Sequence, residues 1–163
     1  MGMQMQESQP VQDNGLELLV YMLKKGNVYG VSNASQALAD LGEAAVTPLM
    51  QLLRDPDQSA RWRAAIALQK LGTPAVPALI TALHEEEWYV RTPAIWALSQ
   101  IRDARAVDPL IGLLRDDHEC CRWMAAAALR TIGDQKGVDA VKTVVMEEGG
   151  NFEEIVDELV EGS

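Results

Sequence analysis

The sequence predicts an all-α fold: a right-handed α-solenoid, or α-α superhelix, of about five helix–turn–helix units. Three recurrences point to it, and a fixed period of this length marks stacked repeats. The block Ala37-Leu38-Ala39-Asp40-Leu41-Gly42 returns as Ala67-Leu68-Gln69-Lys70-Leu71-Gly72, as Ala97-Leu98-Ser99-Gln100-Ile101-Arg102 and as Ala128-Leu129-Arg130-Thr131-Ile132-Gly133. The block Ala45-Val46-Thr47-Pro48-Leu49 returns as Ala75-Val76-Pro77-Ala78-Leu79 and Ala106-Val107-Asp108-Pro109-Leu110, and weakly as Gly137-Val138-Asp139-Ala140-Val141. An arginine precedes small residues in the same register: Arg61 before Ala64 and Ala65, Arg91 before Ala94, Arg122 before Ala125 and Ala126.

Each unit reads as two helices. The first, helix A, opens near the Ala-Val pair and ends at an acidic turn: Asp55-Pro56-Asp57, Glu85-Glu86-Glu87 or Asp116-Asp117. Acids there suit the free amides at the start of the following helix. Helix B runs from that turn to the Leu-Gly, where glycine permits a left-handed stop. Arg102 replaces this glycine in the third unit, so a different stop is expected there. The expected helices span 15–25 and 28–41, 44–54 and 57–71, 74–84 and 87–101, 104–115 and 118–132, 136–147 and 151–161. The units are 14–42, 43–72, 73–102, 103–133 and 134–163, after a polar tail over 1–13 read as disordered. Neither helix of a pair buries its apolar side alone, so stacking must build the core.

Composition narrows the function. The 163 residues are 48% hydrophobic and 23% charged, which suits a folded core. No apolar run reaches the ~18 residues of a membrane span. The first residues lack the basic start and apolar stretch of a signal peptide, so a cytoplasmic address is expected. A formal net charge of −10 opposes nucleic-acid binding, which needs clustered Lys and Arg. From Glu147 onward there are seven acids and no Lys or Arg, either a solvated cap or an acidic docking face. Cys120 and Cys121 are adjacent, and two free thiols are expected, since a vicinal disulfide is strained.

A helical wheel divides helix B into two arcs. Ala60, Ala64, Ala65, Ala67, Leu68 and Leu71 fall on the arc that is apolar or small in every unit, so it is core. The varying arc carries Val28, Tyr29, Ser32, Asn33, Gln36 and Asp40 in the first unit, then Gln58, Ser59, Trp62, Arg63, Ile66 and Lys70. It continues with Trp88, Tyr89, Thr92, Pro93, Trp96 and Gln100, then Glu119, Cys120, Trp123, Met124, Ala127 and Thr131. All four tryptophans lie on it. Tyr29, Trp62, Ile66, Trp88, Tyr89, Trp96, Trp123 and Met124 are therefore the candidate partner-binding residues, with packing between units as the competing role for the rings. Pro93 either bends helix B or sits in the first turn of a helix that starts late.

The combination of Leu-Gly, Ala-Val-x-Pro-Leu and in-register Arg resembles the HEAT-like repeats of phycobilisome lyase subunits. The resemblance covers roughly residues 15–147. It implies a solenoid whose B helices line a concave side. It also implies a structural ladder of turn acid and helix-B arginine: Asp57 with Arg61, Glu87 with Arg91, Asp117 with Arg122. HEAT-like repeats occur in enzymes as well as in scaffolds. Deoxyhypusine hydroxylases of this kind hold two irons with His-Glu pairs on helices B. Here His84-Glu85 and His118-Glu119 are 34 residues apart and out of register. The in-register positions carry Trp62-Arg63, Thr92-Pro93 and Trp123-Met124. A Cys-His nucleophile from Cys120 or Cys121 with His118 lacks an orienting third group.

The expectation from sequence is thus a non-catalytic protein- or peptide-binding scaffold that uses the aromatic groove and is not an enzyme. The alternative is a lyase-like accessory protein holding a chromophore or another apolar cofactor. No catalytic residue, metal ligand or cofactor is assigned, and neither nucleic acid nor membrane is expected as a partner. The N-terminal helix carries Leu16, Leu18, Leu19, Val20, Tyr21, Met22 and Leu23 with only Glu17 charged among them, so a homodimer through it is expected.

Overall fold

In the computed structural model, which describes residues 12–162, the chain forms ten α-helices among the described residues. They are α1 (Gln12–Lys25), α2 (Val28–Asp40), α3 (Val46–Leu52), α4 (Gln58–Leu71), α5 (Val76–Ala82), α6 (Trp88–Ile101), α7 (Val107–Gly112), α8 (Glu119–Ile132), α9 (Gln135–Glu148) and α10 (Gly150–Glu161). Residues 1–11, most of the expected tail, lie outside the described residues, and α1 already begins at Gln12. None of the described helices is long and apolar enough to cross a membrane.

The odd-numbered helices are the A helices and the even-numbered ones the B helices. Helix A is shorter than expected in the middle units, because its first turn winds as a 3-10 helix over Gly42–Ala45, Thr73–Ala75 and Ala104–Ala106. Asn27, Asp57, Asp103 and Asp134 cap the segments that follow them, each accepting a backbone N–H two or three residues on. The expected departure at the third stop does not occur. Arg102 itself takes the left-handed conformation at φ 57°, ψ 34°, and its N–H donates to the Leu98 carbonyl, as Gly133 does to Leu129.

Burial follows the small-residue arc. Ala34, Ala64, Ala65, Ala67, Ala94, Ala97, Ala125 and Ala126 have no exposed surface, and neither do Leu38, Leu68, Leu98 and Leu129. Successive B helices pack on one another through these residues, more extensively than successive A helices do. The B helices thus form the more extensively packed layer, the one that the HEAT-like resemblance expects to be concave. The varying arc is not all surface, however. Thr92 and Pro93 are buried, and α6 starts at Trp88, so Pro93 lies inside the helix and the late-start alternative fails. Its ring removes the N–H that would reach the Tyr89 carbonyl.

The N-terminal helix is partly covered. Leu23 is fully buried, Leu16, Leu19, Val20 and Met22 pack against the core, and Leu18 and Tyr21 are 57% and 64% exposed.

Two outcomes follow from this burial. Leu68→Ala or Leu98→Ala should destabilise by about 2–5 kcal/mol in chemical denaturation, and Lys70→Ala by under about 0.5 kcal/mol; equal effects would put the core arc in the wrong phase. Arg102→Gly should stabilise by about 1 kcal/mol, because glycine avoids the ~1–2 kcal/mol cost of a left-handed L-residue, and an unchanged melting temperature would contradict that cost.

Candidate functional site

The concave layer carries a run of aromatic rings that crosses three units. Trp62 on α4 meets Trp96 on α6 edge-to-face, with centroids 5.9 Å apart and planes at 76°. At the start of α6, Trp88 meets Tyr89 edge-to-face at 6.0 Å. Trp88 also stacks on the His118 ring at 4.2 Å with only 8° between planes, joining the third unit to the fourth. The Arg61 guanidinium lies over Tyr89 at 4.7 Å, within cation–π range.

Two cavities open between these rings and share Trp62 and Met124. One, of about 310 Å³, lies at the helix starts among Arg61, Trp88, Tyr89, Thr92 and Cys120. The other, of about 370 Å³, runs among Trp96, Ser99, Ala127, Thr131 and Glu158. Ile66 lines a third, of about 300 Å³, beside Arg63 and Lys70. A cavity of about 510 Å³ lies on the other layer, between α1 and α3.

Six of the eight sequence-predicted residues therefore line the concave cavities. Tyr29 stands 82% exposed and lines none of them, and Trp123 packs half-buried against the core. Trp88 is 43% exposed, and Trp62 and Trp96 are half-buried. Packing between units and presentation to solvent are thus combined in the same rings. The sequence reading counted Glu158 among the seven C-terminal acids, as part of a solvated cap or an acidic docking face, and did not place it beside the rings, because it comes from α10, outside the units whose arcs were compared.

The arginine ladder has a different wiring from the one expected. Arg61 donates to the carbonyl oxygens of Asp55 and Pro56, while Asp57 is occupied as the cap of α4. Arg91 donates to the carbonyls of Glu85 and Glu86, and Arg122 to that of Asp116. The in-register arginine thus satisfies the backbone oxygens left over where helix A ends. The links along the stack come largely from cations at the ends of helices A: Lys24 to Asp55, Arg54 to Glu85 at 2.8 Å, and Arg115 to Glu147 at 2.6 Å. Of the three in-register arginines, Arg91 alone is seen to reach acids of the following unit, donating to Asp116 at 2.8 Å and Asp117 at 2.9 Å. Burial acts to raise the Asp116 pKa, but the His118 N–H and the Arg91 guanidinium outweigh it and hold the carboxyl below its ordinary value.

The thiols beside this cluster are poor nucleophiles. Burial pushes Cys121 up to about 11, despite the opposing Arg91, and burial raises Cys120 as well. Both are free thiols. His84 lies just beyond α5 and His118 just before α8. Among the described residues, no three His, Cys, Asp or Glu side chains group to hold a metal ion.

HEAT repeats match residues 16–99 and again 76–149. The chain belongs to the HEAT-repeat family. It is 33% identical over 105 residues to human deoxyhypusine hydroxylase and 30% identical over 105 residues to the chicken protein. Each match takes 61% of this chain and 35% of the relative, so the chain spans about a third of the length of the curated relatives it matches. Among solved structures it is similar to a designed armadillo repeat protein in complex with a (KR)4 peptide, at a TM-score of 0.49 and 18% identity over 93% of this chain and 82% of that one.

These relatives overturn the expectation of a non-catalytic scaffold, because they carry the name of an enzyme. The expectation rested on the aromatic arc, with the missing in-register His-Glu pairs setting aside the two-iron reading, yet similarity over 105 residues survives without those pairs. The residues present do not fit a two-iron centre of that kind: the His118 ring is stacked on Trp88, and the helix-B positions hold Trp62-Arg63, Thr92-Pro93 and Trp123-Met124.

Asp116→Ala removes the buried partner of Arg91 and leaves it the exposed Asp117 carboxylate and two backbone carbonyls, so it should destabilise by about 1.5–3 kcal/mol at neutral pH, the scale of a hydrogen bond to a charged group. A carboxyl with a depressed native pKa stabilises above its unfolded value, near pH ~4, and loses that contribution as pH falls through the native value. The gap between wild type and variant should therefore narrow in acid. A gap that stays constant down to about pH 3 would contradict the ion pair as its source.

Proposed function

We propose that the chain works in the enzymatic modification of an amine-bearing side chain on another protein, in the manner of the deoxyhypusine hydroxylases it resembles, with the concave groove as the substrate cleft. The groove carries the reading. It offers an apolar, ring-walled cavity of about 370 Å³ on the concave layer, in a chain one-third identical to hydroxylases over 105 residues. Sites of this size and lining suit a single extended side chain. The chain's own part is to bind that side chain, orient it against Trp62 and Trp96 and exclude water. No oxidising step is assigned to the described residues.

The repeat subtype, similar to that of phycobilisome lyase subunits in its Leu-Gly and Ala-Val-x-Pro-Leu elements, belongs to the same proposal as a statement about repeat kind only. A cytoplasmic site of action, where Cys120 and Cys121 stay reduced, belongs to it too.

The reading is tested in the host cell. Deleting the chain should remove a mass of one oxygen atom from a lysine-derived side chain in at least one protein, as read by peptide mass spectrometry, and restoring the chain should return it. Identical modification patterns with and without the chain would reject the enzymatic role.

A further inference from the structure

The cavity of about 300 Å³ beside Ile66 opens where α2 and α4 meet, next to the end of α1. Its apolar lining includes Leu23, Val31 and Ile66, and its polar lining is Ser32, Ser35, Arg63 and Lys70. The space exists because the first unit departs from the repeat. Ser32 stands in the register that holds Trp62 and Trp123 in other units, so no ring fills the volume. Ser35 stands in the register of Ala65, Ile95 and Ala126, a core position that is apolar elsewhere.

The polar groups of this cavity lack partners. Ser35 is only 2% exposed, and its buried hydroxyl makes no hydrogen bond. Leaving such a hydroxyl unpaired costs stability. Arg63 uses Nη1 alone, donating to the carbonyls of Leu23 at 3.2 Å and Lys24 at 2.8 Å. Its Nε and Nη2 have no hydrogen-bond partner among the described residues, and neither Arg63 nor Lys70 forms an ion pair there. Asp40, on the helix of the two serines, accepts from Gln36 and does not line the cavity, and Asp55 is paired with Lys24. In a chain of net charge −10, two cations beside one cavity are thus left without an acid. The Nε–Nη2 edge of a guanidinium matches a carboxylate in a two-bond fork, and a serine hydroxyl can donate to the same oxygens. An ammonium would meet like charge, and a neutral ligand would cover the guanidinium without pairing it. A water would satisfy Ser35 and still leave both cations without an anion.

We propose that this cavity binds an aliphatic monocarboxylate, with its carboxylate at Arg63, Lys70 and the Ser35 hydroxyl and its hydrocarbon stem against Val31 and Ile66. The site is separate from the ring-walled cavities and does not depend on the enzymatic reading.

The test uses the full chain at neutral pH and hexanoate, against hexanamide, its neutral counterpart of the same length. Binding is read from the methyl resonances of Val31 and Ile66 by NMR. The expected result is saturable shifts at both residues with hexanoate and at least about tenfold weaker binding of hexanamide, the scale of a charge-assisted hydrogen bond. Ser35→Ala installs the residue that stands at this register in the second and fourth units. It should melt at or above the wild-type temperature and still weaken hexanoate by about three- to tenfold. A lower melting temperature with unchanged binding would make the hydroxyl purely structural and overturn its assignment to the ligand. Lys70→Gln should weaken hexanoate by about threefold, the scale of an exposed ion pair. Lys142→Gln, the same change of charge at an exposed position on α9 outside the cavity, should leave binding unchanged. Methyl resonances that hexanoate leaves unmoved, equal binding of the two compounds, or equal losses in the two lysine variants overturn the proposal.

Discussion

Everything in this molecule depends on how closely the B helices approach one another. The contact surface is a run of alanines, Ala64 and Ala65 on α4, Ala94 and Ala97 on α6, Ala125 and Ala126 on α8, all without exposed surface. Short side chains let the backbones come together, and interiors packed to crystal-like density tolerate little deviation from that spacing. The same demand appears between α8 and α9, where a Cβ on Gly137 would sit 2.8 Å from the Leu129 Cδ2. A bulky residue on this seam would wedge neighbouring units apart. The inner layer would lengthen, the curvature would relax, and the rings on the concave side would separate.

The polar wiring serves the same stack. In the three middle units helix A ends after only about two turns, and its last carbonyl oxygens need donors. The planar guanidinium of Arg61, Arg91 or Arg122 reaches back five or six residues to supply them. The residue therefore repeats in register for a local backbone reason. The links from one unit to the next fall to other side chains, chiefly cations at the end of each helix A, where the dipole already favours positive charge. His84 stands at the corresponding place in the third unit, and there the buried Arg91–Asp116 pair carries the link instead.

The enzyme kinship was harder to read than the fold. The sequence argument looked for reactive groups at repeating positions and found Trp62-Arg63, Thr92-Pro93 and Trp123-Met124. Catalytic residues are few, so their absence weighs heavily in such a search. Kinship is carried by many positions at once, most of them core and turn residues whose types are fixed by packing. A chain can keep that distributed resemblance to an enzyme while its chemistry-bearing positions change, and a single sequence does not separate the two.

By itself the sequence determined the period, the ten helices to within a few residues, the alanine–leucine core arc and the acidic helix start at Asp57. These are local or periodic properties, set by turn chemistry and by the 3.6-residue repeat of a helix. Only the tertiary structure decided what the varying arc does. Thr92 and Pro93 turn inward while Trp62, in the register of Thr92, stays half-exposed. Trp88 finds His118 in the following unit, and Glu158 on α10 comes to the edge of the cavity walled by Trp62. Such meetings depend on the small rotation between successive units and on which side chains are short enough to leave space, as Ala127 is. That rotation is a property of the packed stack and has no counterpart in the spacing of residues along the chain.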